Sequence, residues 1–259
     1  MHQRLIEITS DAEDAVARLL TAYSAEALYN FRVAARRCRS ILKQIDNHRS
    51  RGLRKAWGGL AAVTGPARDW DVFKHRAELL LTPEDHQRFL DINRERIDSS
   101  REAVLEMIQS APWHRHLQDW NAFLLQLEDG AGFRGHAEIA LESAILRAGE
   151  VLSVAMREDS DRRWHKFRIA VKEVRYVAEA AASDNEQAAD IAQSCRELQT
   201  LLGDWHDTVV QLNLLQDLEP APVHQLLETL VWQRQQDFMS RMHASLEQES
   251  LFATPRTDP

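Results

Sequence analysis

Apolar residues along this chain recur at intervals of three and four, and the strict alternation of a half-buried strand is absent, so the pattern predicts helices throughout. The sharpest example is Phe31, Ala35, Cys38, Leu42 and Ile45, a seam of small and apolar groups suited to a core. Arg32, Arg36, Arg39 and Lys43 follow the same intervals one residue later. One residue turns a helix by about 100°, which places this cationic row along the margin of the buried seam and not opposite it. Charges at such a margin need partners, and an anion lying along the row is the expected one.

The elements follow in order. A short amphipathic helix is predicted over 10–22, and Ser24 is a candidate N-cap for the basic helix that runs to about Asp46. A further basic helix starts near His48 and continues to Thr64, where Gly65-Pro66 breaks or kinks it. The chain resumes at Ala67 and stays helical to about Leu81. Thr82-Pro83-Glu84-Asp85 then has the hydroxyl, proline and acids of a helix start. That long helix ends before Pro112, another covers 113–128, and 130–135 reads as a glycine-rich linker. Beyond it lie a helix over 136–158, a basic helix around 164–176, a capping-box spacing from Ser183 to Glu186, and a helix ending near Gly203. The last long helix spans about 222–249, followed by a loose tail from 254 to 259.

Composition sharpens this picture. Nine glycines and seven prolines in 259 residues agree with an all-helical protein, and 44% apolar residues with no long uninterrupted apolar run predict neither a membrane span nor a secretory leader, hence a cytoplasmic location. Cys38 and Cys195 sit inside helical patterns and read as small core residues. The net charge of −8 argues against a polyanion partner until its distribution is considered. Residues 29–55 hold nine Lys/Arg and one acid, and residues 162–176 hold six and one. Such focusing on an acidic body predicts a localised anion site.

The two basic stretches are related. A shift of 136 residues places Phe31 on Phe167, Arg32 on Arg168, Arg36 on Lys172 and Arg39 on Arg175, and the seam Phe167, Val171, Val174, Ala178 falls in register. A shift of 138 places Gly65…Arg68-Asp69 on Gly203…His206-Asp207. Two motifs repeated in one order predict an internal duplication, and two halves about a pseudo-two-fold axis could set their basic rows across a groove or channel. From Arg32 to Lys43 is roughly 16 Å of helix, so the expected ligand is elongated and multiply charged.

These residues resemble the CHAD domain, the conserved histidine α-helical domain. The second copy carries His165, Arg168, Lys172, Arg175 and Tyr176, then Gly203-Asp204-Trp205-His206-Asp207; the first carries Arg32, Arg36, Arg37 and Arg39, then Gly65…Arg68-Asp69. The resemblance spans nearly the whole chain, as a single domain of two repeats, 1–130 and 131–259. It implies an all-α fold of two pseudo-symmetric helical bundles around a basic groove or channel, and binding of inorganic polyphosphate. Three positions depart from the pattern: Tyr29 stands where the first histidine would be, Glu173 where a cation is usual, and Glu179 opposite Lys43.

The expected polyphosphate contacts are therefore Arg32, Arg36, Arg37, Arg39, Lys43, Arg54 and Arg68 in the first half, and His165, Arg168, Lys172, Arg175, Tyr176 and His206 in the second. Arginine suits the task because its planar fork makes paired charge-assisted hydrogen bonds and keeps its charge. Asp69, Asp71 and Asp207 are expected to orient cations, and Trp57, Trp70, Trp164 and Trp205 to pack the core. No cofactor or metal is expected, and no phosphate-binding glycine loop or activated nucleophile is present, so the chain reads as non-catalytic. The alternative is a divalent-metal phosphohydrolase using His206-Asp207 with His165 and Asp69. No specific nucleic-acid partner is expected, because no aromatic platform interleaves with the basic rows.

Overall fold

The computed structural model describes residues 2–45, 47–126, 137–181, 185–248 and 251–252. Ten α-helices and no strand occur among them, in agreement with the periodicity: α1 (His2–Thr21), α2 (Ala25–Ile45), α3 (His48–Val63), α4 (Gly65–Leu80), α5 (Pro83–Gln109), α6 (Ala111–Leu124), α7 (Ala137–Glu158), α8 (Asp161–Ala181), α9 (Glu186–Gln216) and α10 (Pro222–Gln248). The chain divides into two compact units, Met1–Gly130 and Ala131–Pro259. No described helix is long and apolar enough to cross a membrane.

Local chemistry sets most boundaries. The Ser24 hydroxyl accepts from the Ala27 amide at 3.1 Å, which satisfies one orphan donor at the start of α2. Thr82 caps α5 by accepting from the Asp85 amide, with Pro83 in its first turn. Asn47 and Ser50 form a reciprocal capping box at α3. The chain differs from the periodic reading at three places. α1 begins well before residue 10, because Leu5 and Ile8 extend its buried stripe. α9 is capped by Asn185, whose side chain accepts from the Ala188 amide; Ser183 and the linker and tail segments 130–135 and 254–259 lie outside the described residues. α9 also runs unbroken through Gly203.

That last difference has a simple cause. At the α3–α4 junction Pro66 has no N–H to donate to the preceding turn, and Thr64, with φ −79° and ψ −3°, ends one helix and caps the next. At the matching place in α9 the residue after Gly203 is Asp204, which keeps its N–H. Glycine costs a helix interior about 1 kcal/mol against about 3 for proline, and the packing of a 31-residue helix overrides the smaller penalty.

In the first unit α2 packs on α1 and α3, and its seam of Phe31, Ala35, Cys38 and Leu42 is fully buried. Phe31 meets an aromatic cluster of Trp57, Trp113 and Trp120, with the His116 ring 4.6 Å from Trp57. Burial lowers the His116 pKa to about 4, so it is a neutral core group at pH 7. In the second unit α8 packs between α7 and α9, and α9 on α10. Phe167, Val171, Val174 and Ala178 are buried there as Phe31, Ala35, Cys38 and Leu42 are in α2. Cys38 and Cys195 are buried and free, and burial pushes the Cys38 thiol up to about 12, which excludes it as a nucleophile. Trp57, Trp70, Trp164 and Trp205 pack in the core as expected.

Candidate anion-binding faces

Because the Phe31 seam is turned inward, the row one residue later emerges at the edge of α2. Arg32 is half-buried, whereas Arg36, Arg39 and Lys43 are exposed. Arg32 reaches the α3–α4 junction: its Nη1 donates to the Ala61 carbonyl and the Thr64 hydroxyl, both at 2.7 Å, and Thr64 in turn donates to the same carbonyl at 2.8 Å. The kink made by Gly65-Pro66 thus exposes a helix end that Arg32 caps. Burial lowers the Arg32 pKa, Asp69 opposes that shift, and the neighbouring guanidinium groups of Arg36 and Arg68 add to it. Asp69 therefore acts electrostatically on a row arginine. Asp71 does not: it is buried, accepts from the Tyr23 hydroxyl at 2.7 Å and faces Lys74 and Arg101, a tie between α4, α5 and the connection from α1 to α2.

Arg68 lies in the first turn of α4 with its guanidinium over the exposed Tyr29 ring, 5.1 Å from its centroid. Arg39 lies along α3. A Cβ at Gly58 would meet its Cζ at 3.6 Å, an ordinary van der Waals contact, so the guanidinium lies against this turn of α3. Arg54, half-buried, stands one turn before Gly58 on α3. Two cations counted near the row serve elsewhere. Arg37 turns to α1 and pairs with Asp11 at 3.9 Å, and Arg49 ties α3 to α6 through Gln126 and the Phe123 ring.

In the second unit His165 of α8 and His206 of α9 bring their rings together, with centroids 4.7 Å apart. These are the positions that Tyr29 and Arg68 occupy in the first unit at offsets of 136 and 138 residues. Both Nδ1 atoms are buried without a hydrogen-bond partner among the described residues. Burial lowers both pKa values, with Arg168 and Lys172 adding to the effect; His206 is held at about 4, His165 also contributing to its shift. His206 thus belongs to the interior of α9 and not to a helix start after a break, for the reason given at Gly203. Arg168, Lys172 and the two rings form one cluster. Arg175, one turn beyond Lys172, lies over the Tyr176 ring at 4.7 Å and 3.9 Å from Glu179, which Arg196 approaches at 3.3 Å.

Glu173, the departure from the expected cation, pairs with Arg147 of α7 at 3.7 Å. Its counterpart at −136 is Arg37, and the counterpart of Arg147 is Asp11. The two units therefore carry the same inter-helix ion pair with its charges exchanged. Arg37 and Glu173 belong to that pair, outside the cationic clusters. The sequence held the signal in the coincident sign reversals at both positions.

Two all-helical units, each with a buried seam edged by cations and a conjoined partner at the next helix, define the class of protein. Residues 3–216 match the model of the CHAD domain family, and the chain belongs to that family. It is 28% identical over 255 residues to an uncharacterized protein of Mycobacterium tuberculosis, with the same figures in two strains. The match covers 89% of this chain and 48% of the relative, so the chain spans about half the length of the curated relatives it matches. The crystal structure of the CHAD domain from the plant Ricinus communis matches with a TM-score of 0.74 at 21% identity, over 97% of this chain and 90% of that one. That likeness establishes a shared fold.

Proposed function

We propose that the chain is a non-catalytic binding module for inorganic polyphosphate. The observation that carries this reading is the row of cations edging the buried seam of α2, which has a counterpart at the same register on α8. A row with a rise of about 5.4 Å per turn offers successive charges to a linear polyanion, whereas a single phosphate would meet one or two of them. Arg36, Arg39 and Lys43 supply exposed charge in the first unit; Arg168, Lys172 and the His165–His206 pair form the cluster of the second. Attachment to polyphosphate granules in the cytoplasm is the cellular role that fits such a module.

The test is titration of polyphosphate against the wild type and the variants Arg36→Ala, Arg168→Ala and their combination. Each charge-assisted contact contributes about 1.5–3 kcal/mol, so each single variant is expected to weaken binding by about tenfold or more, and the double variant to be weaker than either. Unchanged affinity in both single variants would remove these rows from the site. Equal affinity for DNA of the same charge would remove the specificity for polyphosphate. Phosphate release that depends on a divalent metal would replace the binding module by a phosphohydrolase.

A further inference from the structure

The two units meet their expected ligand with different chemistry at one matched position. In the first unit the pair is Tyr29 and Arg68, a phenol and a guanidinium, side-chain classes whose ordinary pKa values lie far above neutral. In the second it is His165 and His206, with rings 4.7 Å apart beside two fixed cations. An imidazolium at this place has Arg168 and Lys172 near it and a buried Nδ1 without an acceptor, so the neutral form of both rings is favoured when no anion is bound. A polyphosphate chain laid on Arg168 and Lys172 reverses the balance. It neutralises the charges that oppose protonation and supplies oxygen acceptors to the outward ring atoms.

From this arrangement we infer that anion capture by the second unit is proton-coupled: the His165–His206 pair takes up about one proton as polyphosphate binds, while the first unit binds without a proton. The inference rests on the polyphosphate reading above. One proton and not two is expected because two rings this close repel a second charge, so the pair titrates as a unit. α8 presents Arg168 and Lys172 to both, α8 and α9 present the rings to each other, and among the described residues no charge of α7 or α10 shifts either ring.

The consequence is an affinity that rises on acidification. A single linked proton gives at most about a tenfold gain per pH unit, over the range where the bound pair is protonated and the free pair is not. The experiment is calorimetric titration of long-chain polyphosphate, whose titratable end groups are few, at pH 5.5, 6.5 and 7.5 in two buffers of different ionisation enthalpy. Wild type is expected to take up about one proton per site and to gain severalfold in affinity at each step down in pH. The double variant His165→Gln, His206→Gln is expected to bind with less than a twofold change across the range and no buffer-dependent heat. Tyr29→Phe should keep the wild-type pH profile. Wild-type binding without proton uptake, or a double variant with the wild-type pH slope, overturns the inference and leaves the polyphosphate reading standing. Failure of wild type to bind polyphosphate at all three pH values overturns both.

Discussion

Arg32 has two demands on one guanidinium. Its Nη1 holds the Ala61 carbonyl and the Thr64 hydroxyl at the α3–α4 kink, and its charge belongs to the row. Truncation to alanine removes a charged donor from a half-buried carbonyl, a loss of about 1.5–3 kcal/mol. Arg32→Ala is therefore expected to melt at a clearly lower temperature than wild type, whereas Arg36→Ala, exposed on the next turn, should melt within a degree or two of it. Equal melting temperatures would show that the cap is not stabilising. The cationic row was legible in the sequence from its spacing alone, but this second role was not, because it depends on where a helix of another segment ends. His116 makes a residue-scale prediction of its own. Its folded pKa of about 4 lies below the ordinary value of 6.5, so the unfolded chain binds more protons between those limits and stability falls as pH drops through that window. His206 contributes with the same sign. Urea unfolding at pH 7, 5.5 and 4.5 checks this, and His116→Phe should flatten the dependence of the first unit.

At the scale of elements, the boundaries that could be read were those with local chemistry: Ser24, Thr82-Pro83 and the Gly65-Pro66 kink. Gly203 misled because its neighbours match the first repeat while the proline that makes the kink does not. Since α9 is continuous there and a Cβ at Gly203 would meet nothing within 4 Å, Gly203→Ala is expected to raise stability by about 0.5–1 kcal/mol, measured by chemical denaturation. A loss of stability would contradict this reading of Gly203. The exchanged pairs Asp11–Arg37 and Arg147–Glu173 give a second test. Exposed pairs of this kind contribute about 0.2–1 kcal/mol. Arg37→Ala should therefore change stability by no more than that and reduce polyphosphate affinity far less than Arg36→Ala, although the two residues are adjacent. Taken by itself, Glu173 reads as a defect of the binding row. Together with residues 11 and 147 it is a compensated exchange on the other side of the helix.

For the whole molecule the governing fact is charge distribution. A chain of net −8 gives a polyanion an acidic background, so the proposed polyphosphate affinity is to come from a few focused contacts and to be sensitive to salt. The all-α fold was legible because periodicity and low glycine and proline content act along the whole length. Membership of the family was legible because ordered motifs occur twice. The ring pair of His165 and His206 was half legible: the positions stood out, but contact between them needs α8 and α9 packed in register. The central claim, a linear polyphosphate held along rows of cations, is tested most directly by titrating polyphosphates of graded length at two salt concentrations. The account predicts affinity that rises with chain length to a plateau and falls steeply with added salt. An affinity already at its plateau with orthophosphate or pyrophosphate, or one indifferent to salt, would contradict it.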